Sequence, residues 1–222
     1  DVNKQSEGGL QEIRQAFLDE DKEKAAQLTR NNFNGLAAYE EKDETPFRFG
    51  SFTTMGELYV ETGLNELRMS NYRRILSLDS AMVVVQFDKD GVQYQRKYFI
   101  SYPDSVMVMK FTANQSGKQN LILSYCPNSE AKSNLRADGK DGLVYTGVLD
   151  NNGMKFAFRI KAIHKGGTLE AENDRLIVKG ADEVVFLLTA DTDYKMNFNP
   201  DFKDPKTYVG NDPEQTTRIM MD

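Results

Sequence analysis

Residues 71–111 read NYRRILSLDSAMVVVQFDKDGVQYQRKYFISYPDSVMVMKF. Three apolar, β-branched and aromatic runs of similar length follow one another. Asp90-Gly91 separates the first pair by two residues, the strongest short-range hairpin signal. A Tyr-Pro-Asp corner at Tyr102, Pro103 and Asp104 separates the second pair. The stretch predicts a β-meander and places the chain in the mainly β class.

Working outward, strand-like segments recur at short spacing. They are predicted at 55–63, 72–78, 81–87, 92–100, 106–113, 121–126, 143–149, 154–163, 168–172, 176–179 and 184–190. The segment Val184–Ala190 is almost continuously apolar, which predicts a central strand covered on both faces. About a dozen hairpin-connected strands predict a large antiparallel β-sandwich of two sheets, with a closed barrel as the alternative. Residues 127–141, PNSEAKSNLRADGKD, read as a polar loop. Residues 8–33 carry the helical periodicity, with Leu10, Ile13 and Phe17 on one stripe and Asp21 capping a second helix. Asp19, Glu20 and Asp21 break the two, giving a helical hairpin. Residues 34–54 form a loop in which Tyr39, Phe47, Phe49 and Phe52 interleave with charge, either packed on the domain or contacting ligand. Asp212-Pro213-Glu214 reads as a helix start, with Pro at the first position and acid in the first turn.

Composition bounds function. The 222 residues are 39% hydrophobic and 28% charged, so the chain can bury a core without staples. No run approaches the roughly 18 apolar residues of a spanning helix. A net charge of −6 argues against a nucleic-acid partner, whose phosphates select a basic face. Cys126 is the only cysteine, so no internal disulfide forms; its neighbours Leu121, Leu123 and Tyr125 suggest a strand and a buried, inert thiol. The opening DVNKQSEGG has no initiator Met and no apolar lead-in, and is read as the interior of a longer protein.

Candidate chemistry is sparse. His164 is the only histidine, at a strand end beside Gly166-Gly167, where a structural or surface role is favoured. Neither metal-ligand spacing nor a nucleophile motif is present, and no metal or cofactor is expected. Asp138, Asp141, Asp150, Asp191 and Asp193 are the candidate acid/base carboxylates, but most fall in turns, where Asp serves the backbone.

Four segments carry a family resemblance: 13–28 (IRQAFLDEDKEKAAQL), 46–63 (PFRFGSFTTMGELYVETG), 71–113, and 153–194 with GMKFAFRIKAIHKGGTLEAENDRLIVKGADEVVFLLTADTDY. In order and spacing they resemble the N-terminal domain of glycoside hydrolase family 95, the α-L-fucosidase-like enzymes, in wording closest to Bacteroides-type members. The family's opening Gly-Asn-Gly-x-Leu-Gly motif and Leu-Asn-Glu segment are missing. Its catalytic residues lie in an (α/α)6 barrel that follows the sandwich, so no catalytic residue is carried over. The resemblance implies a periplasmic or secreted parent that inverts configuration at fucosyl or related α-L-galactosyl linkages. In that picture residues 1–195 are the sandwich domain and 196–222 begin a linker to the barrel. The domain would be non-catalytic, packing on the barrel and shaping a cleft for fucosylated oligosaccharide. Phe47, Arg48, Phe49, Phe52 and Met55 are the expected interface or substrate residues, and self-association through the barrel-facing surface is expected. A free-standing carbohydrate-binding module is the alternative, against which the absence of Trp counts.

Overall fold

The computed structural model describes residues 8–33, 54–65, 67–127, 131–150, 153–197 and 205–221. Chain contacts divide it into two compact units. The first contains helices α1 (Gly9–Leu18) and α2 (Lys22–Phe33), which pack on each other. Glu20 adopts a positive φ at the break between them, and the Asp21 carboxylate caps α2 by accepting from the Lys24 amide. The buried stripe of α1 is Gly9, Ile13 and Ala16. Leu10 and Phe17, expected on the inner stripe, are exposed, because α1 turns Gly9, Ile13 and Ala16 inward, with Gly9 close against Asn32 of α2.

The second unit is the β-sandwich. Its strands are β1 (Gly56–Glu61), β2 (Met69–Ser77), β3 (Met82–Lys89), β4 (Val92–Ser101), β5 (Val106–Ala113), β6 (Gln119–Pro127), β7 (Ala131–Asp138), β8 (Gly142–Leu149), β9 (Lys155–Lys165), β10 (Thr168–Ala171), β11 (Arg175–Ala181) and β12 (Glu183–Thr192). They form two antiparallel sheets, a four-stranded sheet ordered β1-β6-β11-β10 and an eight-stranded sheet ordered β2-β3-β4-β5-β12-β9-β8-β7. A short 3-10 turn (Pro205–Tyr208) and helix α3 (Pro213–Ile219) follow. The meander is β2 to β5. Its Asp90-Gly91 turn has positive φ at both residues, the backbone that matches strand twist in a two-residue hairpin.

Alternation along β12 builds the core. Val184, Phe186 and Leu188 point inward and are buried, while Val185 and Leu187 point outward and stay half-covered. Phe111 and Phe186 pack edge to face at 5.8 Å between centroids. Met109, Leu143 and Ile160 join them from the large sheet, and Leu121, Leu123, Leu176 and Val178 close the layer from the small one. Residues 131–138 and Cys126 depart from their predicted places. Residues 131–138 form edge strand β7 rather than loop, paired to β8 along its length. Cys126 is exposed, because the inward phase of β6 belongs to Leu121, Leu123 and Tyr125.

Candidate interdomain face and charged cavity

The strands leave one chemically distinctive surface. Across the eight-stranded sheet, ladder neighbours run Ile75–Val84–Lys97–Lys110–Val185–Ile163, and beside them Phe99–Val108–Leu187–Lys161. These residues have the phase opposite to Phe186, so they face away from the small sheet. Water-facing strands normally alternate to polar on that side. Here Ile75 is 48% and Ile163 51% exposed, with Val84, Phe99, Val108, Val185 and Leu187 half-buried between them. The outer face of the four-stranded sheet is more polar: Glu57, Tyr59 and Glu61 of β1 alternate outward and Arg175 lies opposite Ser124, around a single Ile122–Ile177 pair.

Helix α3 packs on β9 and β12 on this same outer face of the eight-stranded sheet, where Arg159, Lys161 and Thr189 carry the outward phase. The Asp212 carboxylate accepts from the Glu214 amide, and Pro213 begins the helix, as the sequence predicts. Thr217 is fully buried. The Thr189 hydroxyl contacts the Ser105 carbonyl at 3.2 Å and Met220 Sδ at 2.9 Å, and Arg136 pairs with Glu214 at 2.6 Å. Beside α3 lies a cavity of about 230 Å3 lined by Asp138, Asp141, Arg159, Lys161, Arg218 and Met221, among others.

Of the expected interface residues, Phe47, Arg48, Phe49 and Phe52 lie outside the described residues. Met55 closes one end of the sandwich. Its carbonyl accepts from the Tyr125 hydroxyl at 2.5 Å, and its side chain packs on Tyr125, Tyr145, Leu149 and Phe156. Burial pushes the Tyr125 phenol well above its ordinary value, with Tyr145 adding to the shift, so this hydroxyl remains a donor.

The candidate carboxylates separate. Asp193 is buried and accepts from the Lys155 amide at 2.9 Å; Asp191 accepts from Thr192; Asp150 sits 3.7 Å from Lys132 on the surface. Only Asp138 and Asp141 share a cavity, and Asp138 is paired with Arg159. His164 is exposed, with Nδ1 2.8 Å from the Gly166 carbonyl. Among the described residues, no group of three or more His, Cys, Asp or Glu is arranged to hold a metal ion. Sequence reading missed the cationic half of the cavity. The two-residue spacing of Arg159 and Lys161 on one strand places them on one face, and that signal was legible.

Comparison with known proteins sharpens the lineage. Residues 1–197 match the family model described as glycosyl hydrolase family 65, N-terminal domain. The chain is 28% identical over 181 residues to "Probable alpha-fucosidase A" of Aspergillus niger, covering 77% of this chain and 22% of that protein. It is 23% identical over 167 residues to "Alpha-L-fucosidase 2" of Arabidopsis thaliana, covering 64% and 20%. Among solved structures it is similar to "Putative kojibiose phosphorylase from human microbiome", with TM-score 0.47 and 10% identity over 74% of this chain and 24% of that one. The chain spans about a fifth of the length of the curated relatives it matches. The matched family model is that of family 65, whereas the sequence motifs pointed to family 95. Most of those motifs are strand and turn signals, which report a sandwich more sharply than they identify a family. With the match running through 197 of its 222 residues, the chain belongs to the glycosyl hydrolase family 65 N-terminal domain family.

Proposed function

We propose that this chain is the non-catalytic N-terminal β-sandwich of an α-L-fucosidase-like glycoside hydrolase, in which it packs on the catalytic barrel and helps shape the cleft for fucosylated glycans. The observation that carries the reading is the outer face of the eight-stranded sheet. An ordinary antiparallel sheet turns mainly polar side chains to water, whereas this one turns Ile75, Val84, Phe99, Val108, Val185, Leu187 and Ile163 outward around Lys97, Lys110 and Lys161. Such a face is stabilised by a partner that removes it from water. Two fucosidase relatives that extend far beyond the matched segment support the choice of partner.

Hydrolysis of a glycoside needs a positioned acid and a second carboxylate across the scissile bond. Asp150, Asp191 and Asp193 instead hold surface or backbone contacts. The purified chain is therefore expected to release no fucose from fucosyl-α-1,2-galactose ends or from aryl fucosides. Turnover that copurifies with the chain through successive columns would refute the non-catalytic role. Titration calorimetry with a fucosylated trisaccharide tests the binding-module alternative. The docking reading predicts no saturable heat, because a cleft completed by two domains is only half present on one.

A further inference from the structure

We propose that the cavity beside α3 is a binding site for a small hydroxylated carboxylate of the hexuronic acid class. The inference does not rest on the fucosidase reading. The wall of the cavity is drawn from separate elements: the end of β7 and its turn (Asp138, Asp141), β9 (Arg159, Lys161), and α3 with the residues after it (Arg218, Met221). It is complete only when α3 is seated, and the buried Thr217 and the Arg136–Glu214 pair seat it.

Its charge is specific. The Arg159 side chain, 4% exposed, is paired with Asp138, so those two groups cancel. Lys161 and Arg218 then stand against the single carboxylate of Asp141, leaving one unit of positive charge. Neither Lys161 nor Arg218 forms an ion pair with a described residue. In a chain of net charge −6, a partly enclosed cationic pocket selects anions. One carboxylate on the ligand balances it. Phosphate, carrying about −1.5 to −2, overshoots the balance and meets Asp141.

The acceptors narrow the ligand further. Ionised Asp138 and Asp141 accept hydrogen bonds and donate none, so they recognise hydroxyl groups rather than a second anion. Lys161 and Arg218 donate and have no acceptor, so they recognise the carboxylate, with charge-assisted bonds at Arg218. A volume of about 230 Å3 is below that of pockets for drug-sized ligands and suits one sugar ring.

Titration calorimetry of the full chain with sodium glucuronate tests the site. Saturable binding in about the millimolar range is expected, with glucose, acetate and inorganic phosphate each weaker by about tenfold or more. Lys161→Gln and Arg218→Gln should each weaken glucuronate by about tenfold. Lys161 takes no part in the contacts that seat α3 (buried Thr217, the Arg136–Glu214 pair and Thr189 against Met220), so its variant separates loss of the site from loss of the helix; an unchanged melting temperature checks this. Absence of saturation, undiminished glucuronate binding in Lys161→Gln, or glucose or phosphate binding as tightly as glucuronate would overturn the proposal.

Discussion

Phe186 is among the largest fully buried side chains of the core. It is 0% exposed, packs edge to face on Phe111, and sits on one of the two central strands of the large sheet. Phe186→Ala should destabilise the chain by roughly 3–5 kcal/mol in denaturant titration, through lost transfer energy and the cavity left behind. Gln95 has the outward phase of β4, opposite Gln86 and Thr112, and Gln95→Ala should cost about 0.5 kcal/mol or less. Equal costs would invalidate the facing assigned to the sheet. Gly56 is constrained differently. Its φ is +148°, and an added Cβ would stand 2.6 Å from the Tyr125 hydroxyl and closer to the Cys126 carbonyl. Asp182 makes the most pH-sensitive of these contacts. Its carboxylate accepts from the Ser116 hydroxyl at 2.5 Å and the Gly117 amide at 2.8 Å, tying the β5–β6 turn to the β11–β12 turn. These bonds hold the carboxyl below its usual range, the Ser116 hydroxyl contributing most. A lowered folded value stabilises fully above the unfolded one and is lost as pH falls through it. Asp182→Asn should therefore lower the melting temperature at neutral pH, and the gap to the parent chain should close below about pH 4. A gap that persists unchanged into acid would show that the contact is not electrostatic in origin.

At the scale of elements, α3 is seven residues long and marginal as an isolated helix. It is held by its Asp212 cap, by buried Thr217 and by the Arg136–Glu214 pair. That pair is more than a third exposed, so Glu214→Ala should cost about 1 kcal/mol or less overall. The loss should be local. Hydrogen exchange should quicken in α3 while the amides of β12 keep their protection, and unchanged exchange in α3 would show that the pair does not hold the helix. The strands best read from sequence were those whose chemistry is one-sided or wholly apolar: the meander with its Asp90-Gly91 turn, and β12 with its unbroken Val184–Leu188 run. Strand β7 was hidden because it is an edge. Lys132, Ser133 and Asn134 are exposed, and only the alternate residues Leu135 and Ala137 carry its apolar phase. Cys126 was misplaced for a related reason, since strand membership was read correctly but its phase was not. The charged cavity was half legible. Asp138 and Asp141 stood out as carboxylates, whereas Arg218 reaches them only through the packing of α3, a non-local contact that no window of sequence contains.

At the scale of the whole molecule, two sheets of unequal width meet over a shared core, and the wider one presents an outer face of apolar residues set around Lys97, Lys110 and Lys161. Exposed apolar surface of this kind marks an interaction site. In the proposed enzyme it is covered by the barrel. In the isolated chain it should drive reversible self-association, weakened by charge placed where packing is least disturbed. Ile75 and Ile163 lie at opposite edges of the face and are about half exposed, so an Ile75→Asp/Ile163→Asp variant should fold with little loss of stability. Concentration-dependent light scattering of the parent chain and this variant tests the docking account most directly. If the face is a docking surface, the parent chain's apparent mass rises with concentration while the variant stays monomeric at an unchanged melting temperature. A parent chain that remains strictly monomeric across the same range, indistinguishable from the variant, would contradict it.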